Sequence, residues 1–199
     1  MVQCVDLGLI RTSEFTYTAH IEKIVTKASR AAGMLFRAFA TRNRAFLMKL
    51  FLTYVRPMLE YASPIWNPVS VGLKRDIEGV QRRFTKRLNG INLLTYEGRL
   101  ELLGVDTLET RRTQRDLVMV YKLLHGQLGI TADSVGIALS NAPTRGRGIN
   151  LQAIRAINNI TAKTFAYRIR NVWNSLPIAV KQSPSLNVFK RKLALLELL

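Results

Sequence analysis

Between Ile21 and Phe39 the apolar residues recur at intervals of three and four: Ile21, Ile24, Val25, Ala28, Ala32, Leu35, Phe36 and Phe39. At the helical period these lie along one side, while Lys23, Lys27, Arg30 and Arg37 gather on another face. The period returns at Leu73, Ile77, Val80, Phe84 and Leu88, which at 100° per residue fall in a sector about 80° wide. Apolar stripes of this kind are buried by packing helix on helix. A mainly α chain is expected, built as a helical bundle with a further helical segment at the C-terminal end.

Other segments extend this pattern. RAFLMKLFLTY, Arg44 to Tyr54, predicts a second helix that is apolar over most of its circumference and central to the core. Pro57 kinks or restarts it, and a short helix to about Ala62 should yield to extended or turning backbone at Pro64 and Pro68. DTLE, Asp106 to Glu109, reads as a capping box opening a helix that stops at Gly126. Phe165, Ile169, Val172, Trp173 and Leu176 share one helical face ended by Pro177, and Ser185 caps a last helix carrying Leu186, Phe189, Leu193 and Leu196. Only the start looks different: VDLGLI, the polar turn RTSE and the extended FTYT suggest a short β-hairpin. Gly, Ser, Asn and Pro accumulate over residues 127–150. The expected divisions are therefore a strand and turn region at 1–20, a helical domain at 21–126, a loop or linker at 127–150 and a C-terminal helical region at 151–199.

Charge narrows the function. Thirty Lys and Arg against 13 Asp and Glu leave a formal charge of +17 in 199 residues, well past what solubility requires, so a polyanionic partner is expected. The excess is spread along the chain: 9 basic and 4 acidic residues to position 66, 11 and 7 over 67–126, and 10 and 2 beyond. No single basic tail accounts for it. With one cysteine, Cys4, there is no internal disulfide, and His20 and His125 complete no zinc-finger spacing. No apolar run reaches the roughly 18 residues of a membrane span, and the first residues lack a basic region and a cleavage site. An intracellular chain, nuclear or cytoplasmic, with no membrane partner is expected.

Signs of catalysis are absent. Asp6, Asp76, Asp106, Asp116 and Asp133 are isolated, so no pair of carboxylates is spaced to hold magnesium, and there is no phosphate loop, nucleophile elbow or zinc-protease motif. His20 and His125 fall at predicted helix ends, where a capping or surface role is the plainer reading. Trp66 and Trp173 stand among apolar neighbours and are expected in the core.

EGVQRRFTKRLNG, Glu78 to Gly90, concentrates the basic charge. Around the helix Arg75, Arg82, Arg83, Lys86 and Arg87 occupy an arc about 140° wide beside the buried stripe. Arg82 with Lys86 and Arg83 with Arg87 are like-charge pairs at i, i+4, each costing an isolated helix about 0.2–0.5 kcal/mol, and Glu78 offers Arg82 the local relief. A one-sided arc suits a phosphate backbone, whereas a solvated face is the plainer alternative. TRGRG places Arg145 and Arg147 where they could follow a backbone as well.

The order of these pieces resembles a known family. DLGLI, then YVRPMLEYASPIWNP, IEGVQRRFTKRLNG, YEGRLELLGVDTLETRR, DLVMVYKLLHG and FAYRIRNVWNSLP with SLNVFKRKL is similar to the C-terminal part of reverse transcriptases of jockey-type non-LTR (LINE) retrotransposons, across residues 6 to 193. The resemblance implies the end of a palm at Asp6 to Ile10, then a thumb and connecting region that hold a primer-template duplex. The family's magnesium-binding aromatic-x-Asp-Asp turn does not occur here, so by the resemblance magnesium belongs to a missing palm. Fingers, most of the palm and the endonuclease are missing too, as in a truncated copy or an incomplete reading of a longer protein.

The leading expectation is a nucleic-acid-binding fragment of an RNA-directed DNA polymerase, contacting RNA or DNA duplex through Lys23, Lys27, Arg30, Arg37, Arg75, Arg82, Arg83, Lys86, Arg87, Arg145 and Arg147, inactive alone and without a cofactor of its own. The alternative is a helical interaction or self-association module, a remnant whose apolar surfaces dock another protein.

Overall fold

The stripe that begins at Ile21 lies on α1 (Thr18–Ala38) of the computed structural model, which describes residues 3–13, 16–41, 43–140, 150–153 and 164–196. Ile21, Ala28 and Ala32 are buried, and Ile24, Val25, Leu35 and Phe36 pack against the same core. Phe39 departs from the expectation: it follows the last helical residue, is exposed, and meets Phe46 edge-on at 5.4 Å. The second stripe lies on α4 (Val71–Lys86), where Ile77, Val80 and Phe84 are buried, with Leu88 just beyond. Phe36 and Phe84 join the two helices at 4.8 Å between ring centroids, and Phe51 meets Phe84 at 4.5 Å. Burying a phenylalanine contributes about 1.5–3 kcal/mol, and Phe84 anchors three elements at once.

Between these helices runs α2 (Arg44–Leu50), capped by Asn43, whose side chain accepts the Phe46 N–H at 3.1 Å. It passes directly into a π-helical turn (Phe51–Val55) and a 3-10 turn (Arg56–Leu59). Pro57 explains the change, because its ring has no N–H to give and crowds the carbonyl four residues back. The helix widens instead, and the Arg56 N–H reaches the Phe51 carbonyl. The segment is central, but through one face only: Leu47, Met48, Phe51, Val55 and Leu59 are buried while Phe46 and Tyr54 are exposed. Past a turn with Ala62 in the left-handed region, the chain re-enters a helical turn, α3 (Ser63–Trp66). Pro64, expected to impose extended backbone, sits in the first turn of that helix, where a missing N–H costs little.

The expected hairpin forms, with its turn in a different place. β1 (Gln3–Asp6) pairs antiparallel with β2 (Leu9–Thr12), Asp6 opposite Leu9, so VDLGLI contains the turn and RTSE does not make it. Leu7 and Gly8 have φ of 46° and 83°, the positive pair that a two-residue type I′ hairpin requires. FTYT is not a second strand: Thr16 and Tyr17 lead straight into α1, and residues 14 and 15 lie outside the described residues.

Two helices follow α4. α5 (Tyr96–Leu103) is capped by Thr95, which accepts the Gly98 N–H at 3.1 Å, and it closes on Gly104 at φ 62°. Its buried residues are Tyr96, Arg99 and Leu100. The cap of α6 (Leu108–Leu124) is Thr107, which accepts the Thr110 N–H at 3.0 Å, and not Asp106. Gly126 ends this helix at φ 62°, with the Gln127 N–H returning to the Lys122 carbonyl.

The chain divides into two compact units, Met1–Arg111 and Arg112–Leu199. The second contains α7 (Phe165–Ser175), α8 (Ile178–Lys181) and α9 (Leu186–Ala194), with Tyr121, Ile169, Trp173, Phe189 and Leu193 in its core. Ser185 caps α9 as expected, accepting the Val188 N–H at 3.3 Å. Asn174 holds the backbone of Leu151 in both directions, at 2.8 and 3.1 Å. Trp66 and Trp173 are both core residues. So is His20, which is 3 % exposed and meets Trp66 edge-on at 5.7 Å, in place of the capping or surface role expected of it. His125 is exposed and stacks on Tyr121.

Candidate nucleic-acid interface

The basic arc of α4 is held in place from the opposite side of the helix. Gln81, fully buried, donates through Nε2 to the Tyr96 hydroxyl at 3.1 Å and to the Asp106 carbonyl at 3.0 Å. The buried Thr85 hydroxyl accepts from Arg99 Nε at 3.2 Å, and Arg99 Nη1 donates to the Leu94 carbonyl at 2.7 Å. Glu78 does not relieve Arg82. Its carboxylate accepts the Tyr96 hydroxyl and the N–H groups of Leu108 and Glu109 at 3.2 and 3.3 Å, capping α6. Burial, with the Glu78 carboxylate beside it, pushes the Tyr96 hydroxyl far above its ordinary value and keeps it a donor.

Arg75, Arg82, Arg83, Lys86 and Arg87 are all exposed. Arg82 lies over the Tyr96 ring at 4.4 Å and Arg87 over the Phe36 ring at 4.0 Å, electron-rich faces that hold a guanidinium without neutralising it. Arg83 reaches across to α1 and donates from Nη2 to Ser29 Oγ at 3.3 Å. A groove between α1 and α4 is lined by Ser29, Gly33, Phe36, Val80, Arg83 and Arg87, among others.

On α1, Lys23, Lys27, Arg30 and Arg37 are exposed as expected and line one depression together with Glu22, Met34 and Met58. Arg37 links this face to the groove: a Cβ on Gly33 would meet Arg37 Nη1 at 3.5 Å. Arg83 and Arg87 share the groove, while Arg37 lies with Lys23, Lys27 and Arg30 along α1. Arg75 and Lys86 are exposed on the same helix as Arg83. Arg145 and Arg147 lie outside the described residues.

Several basic side chains are paired with carboxylates. Lys74 pairs with Glu109 at 2.6 Å, Arg111 with Glu60 at 2.5 Å and Arg168 with Asp116 at 3.0 Å. Among the described residues none of the nine candidates on α1 and α4 forms an ion pair with a carboxylate. Ser29 and Gly33 line the groove, and the buried Tyr96 lies beneath Arg82; none of the three is charged. The signal for Gly33, and for Gly79 beneath Arg83, is a glycine inside a helix-period segment. Among the described residues no three His, Cys, Asp or Glu side chains converge as metal ligands, and no helix is long and apolar enough to cross a membrane.

No family model matches the chain, and no solved structure matches it. It is similar to an uncharacterised protein of Caenorhabditis elegans, 24% identical over 125 residues, which is 61% of this chain and 63% of that protein. The chain thus spans less than two thirds of that relative's length.

Proposed function

We propose that the first unit binds nucleic acid along its backbone, as the thumb-like part of a retrotransposon RNA-directed DNA polymerase, with an RNA or DNA primer-template duplex as partner. The observation that carries this reading is the clustering of exposed charge: among the described residues the nine exposed cations on α1 and on or just past α4 form no ion pair with a carboxylate, whereas Lys74 and Arg111 of the same unit do. Phosphate contacts supply affinity that does not depend on sequence. The polymerase assignment rests on the resemblance of the motifs from Asp6 to Leu193, and polymerisation would fall to a palm, with its magnesium, outside this chain. Fluorescence anisotropy with a labelled RNA-DNA hybrid tests the reading, the wild type binding and a variant with Arg82, Arg83, Lys86 and Arg87 replaced by Gln binding at least tenfold more weakly. Equal affinities would remove it.

A second reading has support at the hairpin, where Val5 and Leu7 are exposed and the exposed Tyr61 donates to the Leu7 carbonyl at 3.2 Å. This apolar edge suits a protein partner, whether the palm of a polymerase or another copy of the chain. Salt-insensitive self-association in sedimentation, without retention on nucleic acid, would favour it.

A further inference from the structure

We propose that the groove between α1 and α4 is a preformed seat for a single phosphodiester of the bound strand, gripped by Arg83 and Arg87, and that Gly79 is glycine because of it. The proposal rests on the nucleic-acid reading and makes it specific: one defined contact within a broader basic surface.

Both guanidinium groups are oriented before any ligand arrives. Arg83 folds back along α4 so closely that a Cβ on Gly79 would stand 3.0 Å from its Nη1, while its Nη2 is tied to Ser29. Arg87 is laid on the Phe36 ring, on the opposite wall of the groove. A guanidinium has five N–H donors. Among the described residues Arg83 uses one of them on the protein and Arg87 none, which leaves a double fork for an anion with several acceptor oxygens. Holding long side chains in their bound rotamers removes part of the ordering cost of binding.

The two glycines fit no helical need. Each lies inside its helix, where glycine is less favourable than alanine. Neither has a positive φ, so backbone conformation does not call for them. Gly79 provides space under the Arg83 guanidinium, and Gly33 keeps the groove wall low, where a Cβ would stand an ordinary 3.5 Å from Arg37. The two arginines also repel each other across i, i+4, a cost that an anion between them reverses. A repeating polyanion is favoured over an isolated carboxylate because Arg82 and Lys86 on α4, with Arg37 and Arg30 on α1, continue the positive surface away from the seat.

Variants that keep every charge separate a seat from a diffuse field. Gly79→Ala improves the helix but displaces Arg83, Ser29→Ala releases it, and Gly33→Leu fills the groove. Each is expected to weaken binding of a labelled RNA-DNA hybrid by about three- to tenfold. The dependence of log affinity on log salt should become shallower by about one phosphate, while circular dichroism melting shows Gly79→Ala no less stable than wild type. Wild-type affinity and salt dependence in all three, with binding lost only in the four-residue Gln variant, would overturn the seat and leave the basic surface. Wild-type affinity in the Gln variant would overturn the nucleic-acid reading and the seat with it.

Discussion

The carboxylate of Glu78 on α4 accepts the backbone N–H of Leu108 at 3.2 Å, so the helix with the basic arc also caps α6. The Glu109 N–H and the Tyr96 hydroxyl complete its coordination. Replacing Glu78 with Gln removes a charged acceptor from the N-terminus of α6. It should lower stability by about 1–3 kcal/mol in urea denaturation. Arg82→Gln, at an exposed position stacked on Tyr96, should change it by less than about 1 kcal/mol.

His20 gives the fold a pH dependence of predictable sign. Burial, and to a lesser degree the charge of Lys23, lowers its pKa below the ordinary 6.5. The unfolded chain therefore takes up a proton that the folded chain refuses. The stabilising effect of a neutral His20 is complete above pH 6.5 and is lost as pH falls below that value toward the folded pKa. His20→Phe, which keeps an edge contact with Trp66, should flatten the difference in melting temperature between pH 7.5 and pH 5.5.

Leu7 occupies a left-handed conformation at φ 46° while its side chain is 81% exposed, so it accepts strain without burying apolar surface. Leu7→Asn should stabilise the hairpin by about 0.5–1 kcal/mol, read as a higher melting temperature, because asparagine tolerates this region and Asn-Gly favours the type I′ turn.

What could be read in advance followed from apolar period. α1, α4, α7 and α9 each bury one stripe, and a stripe is visible in a short window. α5 was not, because two of its three buried residues, Tyr96 and Arg99, are polar and are satisfied by Glu78, Gln81, Thr85 and the Leu94 carbonyl. Those partners are supplied by the folded chain, not by the helix itself. The spacing of Glu78 and Arg82 suggested a local pair, yet the free N–H groups at the start of α6 won the carboxylate. RTSE carries the stronger polar turn signal, but the turn forms at Leu7-Gly8, where the glycine accepts a positive φ. For the candidate interface, charge and period identified the two basic faces, whereas the groove between them depends on how α1 and α4 pack.

Cations that contact phosphate release counterions on binding, so affinity must fall with salt. Plotting log affinity for an RNA-DNA hybrid against log salt should give a straight, steep decline of about 0.9 per phosphate neutralised on a B-form duplex and of similar size here. The variant with Gln at Arg82, Arg83, Lys86 and Arg87 should bind more weakly and decline less steeply, by up to about four contacts. Binding that is indifferent to salt, or a slope unchanged by the four substitutions, would show that these cations do not contact phosphate.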